Sequence, residues 1–174
     1  MNDKNLKTQR EIDVYWIKKT LRLADFAASR NEIPVGALIV QNIPHQPFTK
    51  GKLISCGWNF REQTQNPLAH AEIIAIDRAS RHLGQWRLLN CTMYVTLEPC
   101  TMCAGALIQS RIERLVYACP DPKAGAIESV FQLTSNTRLN HKISSEVCEQ
   151  YKDSASKQLK IFFSSLRQQK KNKK

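Results

Sequence analysis

Three short runs rich in apolar and β-branched residues constrain this chain most: Val35-Gly-Ala-Leu-Ile-Val40, Cys91-Thr-Met-Tyr-Val-Thr-Leu97 and Leu115-Val-Tyr-Ala118. Runs this short and this apolar suit strands covered on both faces. The segments between them carry a helical period instead. Val14, Ile17, Leu21, Ala24 and Ala28 follow Thr8-Gln-Arg-Glu11, which has the form of a capping box. Asn31 to Pro34 ends that helix. Lys52 to Trp58 reads as a further strand, after a connection from Gln41 that Pro44 and Pro47 keep irregular. Asn66-Pro67 reads as an N-cap and first helical residue, with the helix running to about His82. Pro99 opens another helix, and Cys119 to Gly125 is a loop. Leu159, Phe162, Phe163 and Leu166 form one apolar stripe near the end. Strands alternating with helices imply a mixed α/β sheet with helices on its faces.

The whole chain of 174 residues is expected to be one domain. It contains no apolar run near the roughly 18 residues a membrane span requires. Charges at Asp3, Lys4, Lys7, Arg10, Glu11 and Asp13 interrupt its start, so a secretory signal and a membrane location are not expected. Net charge is +11, unevenly placed: residues 150–174 hold eight basic residues and one acid, a net +7. From Arg167 to Lys174 there is no apolar residue, and this stretch is expected to fray. A solvated terminus explains such a tail unless a second feature points to a polyanion.

Six cysteines in a chain not expected to be exported suggest metal or catalysis before disulfides. Only Cys100 and Cys103 have useful spacing: three apart at a helix start, they share a face near the positive end of the dipole. Two thiolates and one imidazole leave the fourth position of tetrahedral zinc open, as in catalytic sites. His70 is the third donor, with Glu72 two residues on. A redox pair is the competing reading of C-x-x-C, but it leaves His70 and Glu72 without a role. Residues two apart on a helix differ by about 200°, so spacing alone does not bring His70 and Glu72 together. Cys56, Cys91, Cys119 and Cys148 read as small core or surface residues.

His70-Ala-Glu72 followed by Pro99-Cys-Thr-Met-Cys103 resembles the zinc nucleoside deaminase signature. The similarity extends through Asn31-Glu-Ile-Pro-Val-Gly-Ala37, Gly57-Trp-Asn59, Tyr94-Val-Thr-Leu-Glu-Pro99 and Asp121-Pro-Lys-Ala-Gly-Ala126. These flanking segments resemble the bacterial tRNA-specific adenosine deaminases, and the likeness covers nearly the whole chain. It implies a cytidine-deaminase-like three-layer α/β/α fold with a five-stranded mixed sheet. It implies one zinc per subunit on His70, Cys100 and Cys103, with Glu72 as the catalytic proton carrier. By the same resemblance Asn59 holds the target nucleoside, while Asp121 and Lys123 border the anticodon stem-loop. The implied reaction converts the wobble adenosine of an arginine tRNA to inosine, in a cytoplasmic homodimer with no membrane or DNA partner. Two alternatives stay open: deamination of a free base or nucleotide, and a structural-zinc module that binds RNA.

Overall fold

The computed structural model describes residues 8–44, 46 and 48–172; Asp3, Lys4, Lys7, Pro47 and the last two lysines lie outside them. Helix α1 (Gln9–Ser29) starts at the expected capping box. The Thr8 hydroxyl accepts from the Glu11 amide at 3.3 Å, and Glu11 Oε2 accepts from the Thr8 amide at 3.0 Å. Strands β1 (Gly36–Gln41) and β2 (Lys52–Trp58) follow, then the short helix α2 (Arg61–Thr64), α3 (Ala71–Leu83), β3 (Cys91–Leu97), α4 (Thr101–Gln109) and β4 (Arg114–Cys119). Strand β5 (Ser144–Val147), a turn of 3₁₀ helix at Glu149–Tyr151 and helix α5 (Lys152–Lys171) complete the order.

The sheet runs β2-β1-β3-β4-β5, antiparallel on either side of β1 and parallel from β3 to β5. Because strand side chains alternate, each central strand feeds two cores. Ala37, Ile39, Met93, Val95, Leu115 and Tyr117 pack with Ala71, Ala75 and Ala79 of α3 and Ala104 and Leu107 of α4. Leu38, Val40, Tyr94, Val116 and Ala118 pack instead with Ile12, Trp16, Ile17 and Leu21 of α1 and Ala155 of α5. Helices thus cover both faces, giving the three-layer α/β/α arrangement expected. The core residues of α3 are mostly alanines, so that helix lies close to the sheet. At Gly57 of β2 an added Cβ would collide with the Ala71 carbonyl oxygen, so glycine here lets the start of α3 approach the sheet.

Three details differ from the sequence expectation. Helix α3 begins at Ala71, not at Pro67: Asn66 Oδ1 accepts from the Leu68 amide at 2.9 Å, spending the capping side chain on a local turn. Strand β5 had no apolar run to announce it. The stretch from Arg167 is helical to Lys171, where Arg, Gln and Lys are good helix formers and cations suit the C-terminal end. No described helix is long and apolar enough to cross a membrane.

Candidate active site

Two helix starts meet at one end of the sheet. His70 is the N-cap of α3 and Cys100 the N-cap of α4, with Cys103 in the first turn behind it. Proline at 99 suits the residue before such a cap, and the strand preceding it delivers Cys100 to the sheet end. His70 Nδ1 lies 3.7 Å from Cys100 Sγ and 3.5 Å from Cys103 Sγ. All three donor atoms fall within 4.8 Å of one another, and among the described residues this is the one such group of three or more His, Cys, Asp or Glu. Zinc bonds of about 2.3 Å to sulfur and 2.0–2.1 Å to nitrogen, set tetrahedrally, span about 3.6 Å between the two donors. The donor set and its spacing therefore fit zinc with one position left over.

The electrostatics agree with a metal-ready cluster. Cys100 is pulled down to about 3, first by the hydrogen bond from Cys103, with burial opposing and His70 assisting. Cys103, fully buried, is pushed up by its Cys100 neighbour, by burial and by Glu72. His70 is raised, chiefly by its hydrogen bond to Cys100. Of the two thiols Cys100 is the one favoured as thiolate, and both lie beside helix N-termini.

Glu72 sits in the first turn of α3, 4% exposed. Burial pushes its carboxyl above the usual range, while its own backbone, His70 and a Cys103 hydrogen bond act against that. The structure therefore brings Glu72 to the same cluster as His70, Cys100 and Cys103, which spacing alone left open.

Asn59 follows β2 and is buried. Its amide donates to the Val35 carbonyl at 3.0 Å, and the next residue, Phe60, donates to Ala69 O at 2.9 Å, tying this corner to the residue before His70. Its Nδ2 donates to Glu32 Oε2 at 3.0 Å. Glu32 is fully buried and also accepts from the amides of Glu62 and Gln63 at the start of α2.

Asp121 and Lys123 stand in the loop after β4, where Asp121 Oδ1 caps the turn by accepting from the amides of Lys123 and Ala124 at 3.0 and 3.3 Å. Lys123 is exposed. The loop is seated against the metal-side cysteines by a bridge between Cys100 and Gly125 and by the Ala126 amide donating to Pro99 O at 2.8 Å.

Sequence reasoning passed over Glu32 and Glu98. Each was legible only as an acid in an apolar stretch, where a charge must find donors if it is buried. Cys91, Cys119 and Cys148 are buried and Cys56 is half-buried, away from the donor cluster as expected.

Comparisons with known proteins place this site in context. The profile of the MafB19-like deaminase family matches residues 12–152. The tRNA-specific adenosine deaminase of Haemophilus influenzae is 41% identical over 167 residues, covering 95% of this chain and 91% of that protein. The Bacillus subtilis enzyme of the same name is 39% identical, over 91% of this chain and 93% of its own. A structure solved in work on A-to-I editing by tRNA:A34 deaminases at the wobble position of transfer RNA aligns with a TM-score of 0.70 at 37% identity, covering 77% of this chain and 97% of that one. A Bacillus subtilis guanine deaminase aligns less fully, with a TM-score of 0.55 at 33% identity, over 61% of this chain and 63% of its own. The chain belongs to the MafB19-like deaminase family and to the tRNA-specific adenosine deaminases.

Proposed function

We propose that this protein hydrolytically deaminates adenosine to inosine at the wobble position of tRNA, releasing ammonia. The observation that carries the reading is the donor cluster of His70, Cys100 and Cys103 with buried Glu72 beside it. It sits on a chain aligned over nearly its whole length with tRNA-specific adenosine deaminases.

His70, Cys100 and Cys103 hold zinc, one ion per subunit. When bound, zinc makes a water nucleophilic near pH 7 by lowering its pKa from about 15.7. Glu72 takes one proton from the attacking water and delivers it to adenine N1 as the water oxygen bonds to C6. It then takes the remaining proton of that oxygen and passes it to the amino group, so that the C6–N bond breaks, ammonia leaves and the C6 carbonyl of inosine forms. Its burial suits this task, since a carboxyl that holds its proton readily can also give it back. Asn59 orients the extruded nucleoside through the amide atoms that Glu32 leaves available. In the loop that meets Cys100 through Gly125, Asp121 serves a ribose hydroxyl and Lys123 a phosphate of the anticodon loop.

The substrate is an arginine tRNA, as the resemblance implies, and the working unit is a cytoplasmic homodimer. Leu68, Val130 and Phe131 are 55%, 46% and 49% exposed in the segments flanking His70 and the Asp121 loop, which supports a second subunit covering that side. Light scattering checks this: a dimeric mass is expected, and a monomer contradicts it. Ammonia release from tRNA transcript, adenosine, cytidine and guanine tests the substrate class. Only the transcript is expected to react, whereas turnover of guanine alone would return the site to free-base chemistry.

A further inference from the structure

Glu98 directly follows β3, two residues before Cys100, and is 2% exposed, yet no cation pairs with it among the described residues' ion pairs. Its charge is met by backbone instead. Oε1 accepts from the amides of Ile127, Glu128 and Ser129 at 3.1, 2.8 and 3.0 Å. Oε2 accepts from the Asp121 amide at 2.9 Å and from the Ser129 hydroxyl. One carboxylate thus gathers both ends of the nine-residue segment 121–129 across 23 to 31 positions of sequence. Gly125, in the middle of that segment, makes the arrangement possible: a Cβ there would run into the Glu98 carboxylate itself. A side chain that only filled space would need neither five donors nor a glycine opposite it.

The segment so closed is the one that presents Asp121 and Lys123 and touches Cys100 through Gly125. We propose that Glu98 is a positioning residue for RNA binding: its carboxylate fixes the 121–129 loop in the shape that presents Lys123 and Asp121 to the anticodon stem-loop. The inference rests on the reading of that loop as an RNA contact. It separates Glu98 from the neighbouring cysteines, whose work is to hold metal, although both leave the same stretch of chain.

Glu98→Gln keeps the size of the side chain but turns one acceptor oxygen into a donor facing the Asp121 amide. The test is steady-state kinetics on an anticodon stem-loop RNA, with zinc content measured on the same samples, for Glu98→Gln, Lys123→Ala and the double variant. Glu98→Gln is expected to keep one zinc per chain, change kcat by less than about twofold and raise KM about tenfold, the scale of removing one charge-assisted hydrogen bond. In the Lys123→Ala background the same change is expected to raise KM by less than about half that factor, because the two residues act through one loop. Loss of zinc or of kcat with KM unchanged would make Glu98 a support of the metal end and overturn the proposal. Additive KM effects would overturn it as well. If Lys123→Ala leaves KM unchanged, the reading of the loop as an RNA contact fails first, and this inference with it. Should Glu98→Gln not fold, Ser129→Ala removes a single hydrogen bond to the same carboxylate; a raised KM with zinc intact supports the proposal, and an unchanged KM rejects it.

Discussion

Each residue of the donor cluster fails in its own way when altered. Cys103→Ser replaces a thiolate donor with a hydroxyl, and metal analysis should find that protein largely without zinc. Glu72→Gln keeps the donors, so zinc content should match wild type while turnover falls at least about 10²-fold. Wild-type rates in that variant would remove Glu72 from the chemistry. The bystander cysteines behave oppositely to Cys100. Burial pushes Cys91 and Cys119 up to about 11, with nearby acids adding to it. A thiol with that pKa is about 0.1% thiolate at pH 8, and the thiolate is the nucleophile. Alkylation of the zinc-loaded protein at pH 8 should therefore label half-buried Cys56 and leave Cys91 and Cys119 unmodified until denaturant is added. Rapid labelling of Cys91 in the native protein would show that its site opens.

At the scale of elements, α1 is tied to the sheet by more than its apolar face. Asp13, on α1 and 6% exposed, accepts from Arg114 Nη1 and Nη2 at 2.7 and 2.8 Å. It also accepts from the Tyr94 hydroxyl of β3 at 3.1 Å, and Arg114 reaches Glu146 of β5. Arg114→Ala leaves the Asp13 charge buried without its partner, a loss of about 3–5 kcal/mol by urea unfolding. A loss below about 1 kcal/mol would show that water replaces the guanidinium.

The elements also show what local signals can carry. The capping box of α1 was legible because every group in it lies within four residues. The start of α3 lies later than Asn66-Pro67 suggests, although that pair is locally a good helix start. The Phe60–Ala69 hydrogen bond, a contact across nine residues, pins the chain while residues 66–70 close turns of their own (Ala69 to Asn66 and His70 to Leu68) ahead of the helix. Strand β5 escaped notice because it is a four-residue edge strand with alternate residues exposed. In the site itself, His70, Cys100 and Cys103 were readable from spacing and donor chemistry. Glu98 was not, because its donors lie up to 31 residues away and are mostly backbone amides, which leave no mark in side-chain identity.

For the whole molecule, the uneven charge gains a structural setting. Helix α5 packs through Ala155, Leu159, Phe162 and Leu166, which are at least half-buried, while Phe163 of the expected stripe is 39% exposed. Gln158 Nε2 fastens the helix to α1 by donating to the Leu21 carbonyl and to Asp25. Beyond Leu166 the exposed basic residues project on a helix that extends past these anchors. Deleting residues 167–174 should raise KM for tRNA and reduce the salt dependence of binding, by about one unit of log–log slope for each phosphate no longer neutralised. Zinc content should not change. An unaltered salt slope would make the tail a solvated end.

Fold, donor cluster and charge converge on a single edit at a single position. Incubating the zinc-loaded protein with an arginine tRNA transcript, then digesting the RNA and locating the modified nucleoside by mass spectrometry, reads that edit itself. Inosine is expected at the wobble position alone, formed by wild type and not by Glu72→Gln. Inosine elsewhere, none at all, or equal yields from the two proteins would contradict the assignment.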